Sequence, residues 1–271
     1  MVDTNIDAEL GKHMLRWAFL MMAVCVTNKA HAQIELLLAV GWTKPPYVIQ
    51  HNGSGFEMDF IKAVMADAGY SVKPVYVPFG RSSQILFDGE VDGAFTQSHN
   101  IASVAPLLSE PYISYQNVAI TLSDADIELG SVDELREYSV VAFQRAEDIL
   151  GEAYADAINQ SPVYTELANQ EQQVQMLLEG RMDVAIMDVN IFNYLAKKWL
   201  LKPLNEVDVH YLFPATSYAM GLKDGKVREA FNRALERFKA SERYRQLIQQ
   251  YQFIQPGGPQ PKQNRLWDFG L

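Results

Sequence analysis

The sequence predicts an α/β protein made of two lobes, and three observations lead to that prediction. Short runs rich in valine, isoleucine and leucine alternate with segments whose apolar residues recur at helical spacing. This alternation of strand and helix occurs twice in tandem, as expected of two mostly parallel sheets. Two further extended segments, 115–122 and 218–222, lie where the chain would pass from one unit to the other and back. We therefore expect two α/β lobes joined by two crossing strands.

The first unit has the order strand, helix, strand, helix, strand. Pro45 and Pro46 end the first strand, because proline lacks the amide hydrogen that regular structure requires. Gly69 follows the first helix at the position where a helix commonly ends in glycine. The predicted segments are 34–42, 56–68, 71–79, 81–87 and 91–96.

The second unit repeats this order and is followed by the longest helical pattern of the chain. Its predicted segments are 139–143, 146–159, 163–167, 171–179, 184–187 and 191–199. The helix predicted over 227–251 has one apolar stripe, which we expect to pack on the core. Residues 254–271 are rich in proline and glycine and then polar, so we expect a loosely held tail.

Composition excludes several classes of partner. The chain has 271 residues, with 23 Lys and Arg against 33 Asp and Glu, for a net charge of −10. A surface this negative repels a phosphate backbone, so we expect no nucleic-acid partner. It equally disfavours an anionic membrane surface. The one cysteine, Cys25, lies in the N-terminal apolar run, so thiol chemistry is excluded once that run is removed.

The N-terminal region has the pattern of a secretory signal. Arg16 precedes an apolar run over 17–26, and Ala30-His31-Ala32 matches the small-residue pattern of a cleavage site. The run is shorter than the ~20 apolar residues that span a bilayer. We therefore predict a signal peptide over 1–32, with translation starting at Met14, cleavage after Ala32 and export to the periplasm. A buried N-terminal helix is the alternative.

Motifs for catalysis and cofactor binding are missing from the sequence. Gly53-Ser54-Gly55 lacks the third glycine of a dinucleotide fingerprint. We find no P-loop, HExxH helix or GxSxG elbow, and no two histidines of the mature chain have metal-ligand spacing. We therefore expect no cofactor, no metal and no enzyme activity. A binding protein explains these absences better than an enzyme does.

Several motifs in the same order resemble those of one family. They are Pro45-Pro46-Tyr47, Gly55-Phe56-Glu57-Met58-Asp59-Phe60, Phe87-Asp88-Gly89-Glu90-Val91-Asp92, Ser109-Glu110-Pro111-Tyr112, Val132-Asp133-Glu134-Leu135, the segment 178–188, and Tyr218-Ala219-Met220-Gly221-Leu222. Together they resemble the extracellular solute-binding proteins of family 3, the polar amino-acid type that serves ABC importers. The resemblance extends from about residue 34 to residue 251.

This resemblance implies a type II periplasmic-binding-protein fold whose lobes close on a ligand. Lobe 1 would comprise 33–121 and 218–253, and lobe 2 would comprise 122–217. The ligand would be a small polar, amine-bearing solute, and the partner an ABC-importer permease or a sensor. We expect a monomer. Two alternatives stay open: a sensory or orphan module with an atypical cleft, and a cyclohexadienyl-dehydratase-like enzyme on the same fold.

The resemblance also implies a binding site, from which one expected residue is missing. In amino-acid-binding members an arginine that follows a threonine in this region clamps the ligand carboxylate. Here the stretch 96–105 contains no arginine or lysine, whereas the carboxylate that takes the ligand ammonium is present as Asp188. Two arginines that follow predicted strands are the candidate replacements. The predicted ligand-binding residues are Tyr47, Phe79, Arg81, Thr96, Gln97, Ser98, Arg145 and Asp188.

Five of these residues also have a purely structural interpretation. Arg81 and Arg145 would form surface salt bridges, and Tyr47 and Phe79 would pack in the core. Asp188 would cap the helix that follows it. Two acids that begin a predicted helix, Glu57 and Asp59, are interpreted as structural because carboxylates favour helix N-termini.

Overall fold

The structure, a computed structural model, describes residues 33–78, 80–199 and 207–256. The predicted signal peptide, the predicted start at Met14, Phe79 and the tail beyond Pro256 lie outside the described residues. Along the described ranges, no helix is both long and apolar enough to cross a membrane.

Ten strands and eight α-helices are found in these ranges. The strands are β1 (Ile34–Gly41), β2 (Tyr70–Val77), β3 (Gly93–Gln97), β4 (Leu108–Tyr115), β5 (Asn117–Leu122), β6 (Val140–Phe143), β7 (Tyr164–Leu167), β8 (Val184–Asp188), β9 (Val207–His210) and β10 (Thr216–Leu222). The helices are α1 (Phe56–Asp67), α2 (Ser82–Phe87), α3 (Ala146–Leu150), α4 (Glu152–Ile158), α5 (Gln170–Leu178), α6 (Val189–Trp199), α7 (Gly225–Lys239) and α8 (Glu242–Tyr251). Short 3-10 helices occupy Gln50–Asn52, Ala105–Leu107, Ser123–Ala125 and Val132–Glu137.

The strands form two five-stranded sheets, which confirms the predicted two-lobe α/β fold. The first sheet has the order β2-β1-β3-β10-β4, and the second has the order β7-β6-β8-β5-β9. In the first sheet β1 runs parallel to β2 and β3, while β10 runs antiparallel to β3 and β4. In the second sheet β6 runs parallel to β7 and β8, while β5 runs antiparallel to β8 and β9. Four of the five strands in each sheet therefore run in the same direction, as expected of mostly parallel sheets, and only β10 and β5 run against their neighbours.

The chain passes between the sheets at two places. Gln116 separates β4 of the first sheet from β5 of the second, and residues 211–215 lead back from β9 to β10. The crossings therefore involve four strands, of which β4 and β9 were not predicted. The lobe boundaries at 121/122 and 217/218 stay predictions.

Two helices predicted as continuous are each split in the structure. The predicted helix over 146–159 breaks at Gly151, whose φ of 92° lies in a region that glycine adopts most easily. The predicted helix over 227–251 breaks at Ala240-Ser241, where the Ser241 side chain accepts a hydrogen bond from the Tyr244 amide and begins α8. The predicted apolar stripe is confirmed, since Phe231, Ala234 and Phe238 of α7 are buried.

After α8 the chain contacts both lobes. We call residues 252–256 the C-terminal strap. Within it the Phe253 ring stacks on Phe56 of α1, with the ring centres 3.7 Å apart and the planes within 4°. The Ile254 amide donates to Asn190 Oδ1 at 2.7 Å, and Asn190 Nδ2 donates back to the Ile254 carbonyl at 3.0 Å. Because Asn190 belongs to α6 of the second lobe, the strap joins α1 to α6.

Candidate functional site

Polar side chains from both lobes meet beside the crossing at Gln116. The first lobe contributes the loop after β1, the first turn of α1 and the end of β3. The second lobe contributes the carboxyl end of β8, where α6 begins. In open α/β sheets, ligands bind outside the carboxyl ends of the strands. This junction is therefore the candidate site.

Asp188 is the centre of the second-lobe side of the site. Its carboxylate is 4% exposed and accepts hydrogen bonds from four groups of the chain. The Tyr47 hydroxyl, from the first lobe, lies 2.9 Å from Oδ1 and 3.0 Å from Oδ2. The Gln116 amide donates to Oδ2 at 3.0 Å. Asp188 thus joins the two lobes and the crossing at one carboxylate.

The same carboxylate caps α6. The Asn190 amide donates to Oδ1 at 2.9 Å and the Ile191 amide at 3.1 Å. These are the amides that a helix-capping side chain satisfies. The structural interpretation of Asp188 as a helix cap is therefore realised, and its predicted contact with a ligand stays a prediction.

Burial is the main cause of the pKa shifts of Asp188 and Tyr47. Burial raises the pKa of Asp188 above its usual value, against the opposing effect of the Ile191 and Gln116 amides, the Tyr47 hydroxyl and the Lys44 ammonium. Burial, and then the charge of Asp188, raise the pKa of Tyr47 well above its usual value. Tyr47 therefore keeps its proton and acts as the donor.

Glu57 is the centre of the first-lobe side. Its carboxylate, 1% exposed, accepts hydrogen bonds from the hydroxyls of Thr96 at 2.6 Å, Tyr115 at 2.9 Å and Tyr112. Burial, and then the charge of Glu57, raise the pKa of both tyrosines well above the usual value, so both remain donors. From the sequence, Glu57 is interpreted as a helix-dipole residue, but the structure makes it the acceptor of a buried hydroxyl cluster.

Thr96 has an unusual backbone within this cluster. Its φ of 54° lies in the left-handed region, which β-branched residues rarely adopt. Its amide donates to the Tyr112 hydroxyl at 3.0 Å while its hydroxyl contacts Glu57. Such strained residues concentrate at functional sites.

Lys44 brings a positive charge to the site. Its Nζ lies 4.1 Å from the centre of the Tyr115 ring and 5.4 Å from that of Tyr47, and both distances allow cation–π attraction. Burial lowers the pKa of Lys44, against the charges of Glu57 and Asp188. Among the described residues, no carboxylate oxygen lies within 4.0 Å of this ammonium and no acceptor bonds it.

The other predicted site residues lie apart from this cluster of contacts. Gln97 is buried, and its side chain bonds the Phe95 carbonyl at 2.7 Å and the hydroxyls of Ser82 and Ser83. The Ser98 hydroxyl accepts from the Asn100 amide at 3.2 Å, within a turn. Their roles in ligand binding stay predictions.

The two arginines proposed as replacement clamps are exposed. Arg81 precedes α2. The Arg145 side chain is 62% exposed and pairs with Asp148 at 3.0 Å, which matches its structural interpretation. Within the described chain, neither arginine contacts the Glu57 or Asp188 cluster. Of the predicted residues, the structure brings together Tyr47, Thr96 and Asp188, and it adds Lys44, Glu57 and the two tyrosines of β4.

Lys44 was not predicted as a site residue, although its position in the sequence could have indicated it. This lysine directly precedes the Pro45-Pro46-Tyr47 motif, at a loop that follows the carboxyl end of β1.

In the part of the chain that the structure describes, no three His, Cys, Asp or Glu side chains group as a metal site would require.

Comparison with solved structures supports the fold. An ancestral arginine-binding protein bound to arginine has a TM-score of 0.59 at 20% identity, covering 80% of this chain and 97% of that one. The GluR0 ligand-binding core in complex with L-glutamate has a TM-score of 0.63 at 15% identity, with coverage of 81% and 99%. An ancestral cationic amino acid solute-binding protein has a TM-score of 0.64 at 18% identity, with coverage of 80% and 95%. At these identities the similarity shows the fold alone.

Comparison with families is more specific. A search of curated proteins finds no match. The family model of the bacterial extracellular solute-binding proteins, family 3, matches residues 36–254, which is well over half of the chain and includes both sheets, the site and most of the strap. The chain therefore belongs to the bacterial extracellular solute-binding proteins, family 3.

Proposed function

We propose that this protein captures a small polar, amine-bearing solute of the amino-acid type between its two lobes. The observation that carries the proposal is the convergence of Tyr47, Glu57 and Thr96 from the first lobe with Asp188 from the second. A site shared in this way changes when the lobes move, so a ligand that contacts both sides favours the closed arrangement.

The two carboxylates would attract the ligand's ammonium group. Glu57 Oε2 accepts one hydrogen bond from the described residues, that of Tyr115, and a carboxylate oxygen has room for a second. The oxygens of Asp188 are already used by four donors. In our proposal Glu57 therefore contacts the ammonium directly, and Asp188 contributes negative charge.

We further propose that the loaded protein acts in the periplasm and delivers its ligand to the permease of an ABC importer. Family membership supports a binding role. One structural neighbour, described as an ancestral amino acid-binding protein and precursor of cyclohexadienyl dehydratase, shares the fold at 19% identity. A fold-level likeness of this kind favours no reaction in this chain.

A thermal-shift screen of the full chain against amino acids and amines tests the proposal. A ligand at 100 times its dissociation constant stabilises the folded state by about 2.7 kcal/mol, which a melting curve resolves easily. We expect one or more amine-bearing compounds to raise the melting temperature. The Glu57→Gln variant should lose that rise, whereas Glu35→Gln, at a carboxylate 58% exposed, should keep it. A screen in which no compound moves the wild-type melting temperature would contradict the proposal.

A further inference from the structure

Lys44 has hydrogen-bonding capacity that the described chain does not use. An ammonium group carries three donors and no acceptor. Its Nζ is held over the Tyr115 ring and near the Tyr47 ring, with no bonded acceptor among the described residues. A partly buried cation with free donors is costly to maintain unless something pairs with it.

The neighbouring carboxylates do not take up these donors. Glu57 is engaged by Thr96 and two tyrosine hydroxyls, and Asp188 is engaged by Tyr47 and three backbone amides. The charges of both act on Lys44 from a distance, without an ion pair inside 4.0 Å. Burial lowers the pKa of Lys44 and the two carboxylate charges oppose that effect, while the ammonium hydrogens have no bonded acceptor in the described chain.

The site also lacks a cation at the place where the family resemblance implies an arginine. The stretch 96–105 has no arginine or lysine, and within the described residues Arg81 and Arg145 make no contact with the cluster. Lys44 is the residue whose positive charge reaches both carboxylates and both tyrosine rings.

We propose that Lys44 anchors the carboxylate of the ligand, in place of an arginine clamp. This inference rests on the proposed function and narrows it to solutes that carry a carboxylate as well as an ammonium. A lysine bonds a carboxylate as a point charge, whereas an arginine bonds it through two fixed donors. The ligand carboxylate would therefore be held by Lys44, and the ligand ammonium by Glu57.

Pairs of ligands that differ only by the α-carboxylate measure how much that group contributes to binding. Calorimetric titration of the full chain would compare L-arginine with agmatine, L-glutamine with 4-aminobutanamide, and L-glutamate with 4-aminobutanoate, so that each pair differs by the α-carboxylate. We expect wild type to bind at least one acid roughly 10- to 100-fold more tightly than its decarboxylated partner, the usual size of a charged hydrogen bond. In Lys44→Gln this advantage should disappear through weaker binding of the acid alone.

Three variants guard against a folding artefact. Lys44→Arg keeps the cation and should retain the preference for the acid. Lys44→Met should behave like Lys44→Gln. Lys73→Gln, at a lysine 59% exposed in an ion pair with Glu35, should bind both members of a pair as wild type does.

The outcomes separate this inference from the proposed function. If Lys44→Gln binds the acid as tightly as wild type, or if the decarboxylated amine binds wild type equally well, Lys44 is not the anchor although the cleft still binds solutes. If no member of the panel binds wild type, the proposed function fails as well.

Discussion

Two charged side chains of the same site differ in how many hydrogen-bond partners the chain gives them. The Asp188 carboxylate has four donors from three parts of the chain, whereas the Lys44 ammonium has aromatic faces and no bonded acceptor in the described ranges. Both lie between the lobes. Position in a cleft therefore does not by itself identify a ligand contact. Unused bonding capacity is the better guide.

The largest expected effect comes from removing the carboxylate that the fold uses. Asp188→Ala leaves the buried Tyr47 hydroxyl and three amides without their acceptor, and each such loss costs about 1–3 kcal/mol before water compensates. We expect the free energy of unfolding, measured with urea, to fall by about 3–4 kcal/mol. The control Asp156→Ala, at an exposed acid, should change it by less than about 0.5 kcal/mol. If Asp188→Ala lowers the free energy of unfolding by less than about 1 kcal/mol, the hydrogen bonds to Asp188 do not stabilise the fold as we describe.

A smaller effect is expected when only the inter-lobe hydroxyl is removed. Tyr47→Phe keeps the ring contacts with Tyr115, at 4.2 Å, and Phe253, at 5.5 Å, and leaves the backbone donors of Asp188 in place. We expect urea unfolding to show a loss of about 1–2 kcal/mol. Tyr194→Phe, at a tyrosine 42% exposed, serves as the control. Equal results for the two variants would mean that the hydroxyl does not hold the lobes together.

Removing the Lys44 charge should change stability least among the site variants. Lys44→Met loses a cation–π attraction of about 0.5–1 kcal/mol but relieves the cost of holding a partly buried charge. We therefore expect the unfolding free energy to change by less than about 1 kcal/mol in either direction. A loss as large as that of Asp188→Ala would show that the ammonium is a structural group and would erase the contrast between the two side chains.

A buried imidazole in the second lobe extends the comparison to pH. His210 Nε2 lies 2.9 Å from the Thr121 hydroxyl, and Nδ1 accepts from the Leu129 amide. Burial lowers the pKa of His210 below its ordinary 6.5, against the charges of Asp208 and Glu128. The unfolded chain therefore binds the proton more readily, so this contribution to stability is present above about pH 6.5 and is lost as the pH falls through the lowered pKa.

Melting curves of His210→Gln at several pH values would test this predicted direction of the change in stability with pH. The stability advantage of wild type over the variant should narrow between about pH 7.5 and about pH 5, because only wild type loses the contribution of the neutral imidazole. The exposed His51, changed to Gln, should show no such narrowing. A difference that stays constant with pH would contradict the argument.

Local sequence patterns predicted most of the secondary structure but not the two crossing-side strands. β4 contains Pro111, which breaks a strand pattern, and its pairing with β10 is irregular near Ala219. β9 has four residues. Both strands are defined mainly by the partners with which they pair, and pairing is a tertiary property.

The site could be predicted only in part for a similar reason. Tyr47 and Asp188 were identified through a family resemblance, although they are 141 positions apart and meet only when the lobes assemble. Glu57 has an ordinary local explanation at a helix N-terminus, which concealed its buried hydroxyl partners. Lys44 resembles any loop lysine until the rings of Tyr47 and Tyr115 are placed beneath it.

The C-terminal strap gives the two lobes a third point of attachment to each other. Two strand connections already join the lobes, and the strap adds the paired bonds between Asn190 and Ile254 together with the stacked rings of Phe253 and Phe56. Any movement that separates the lobes must break those hydrogen bonds or displace one ring from the other. Under the lobe movement that we propose, the amplitude of opening would therefore depend on a few residues at the far end of the fold as well as on the strands between the lobes.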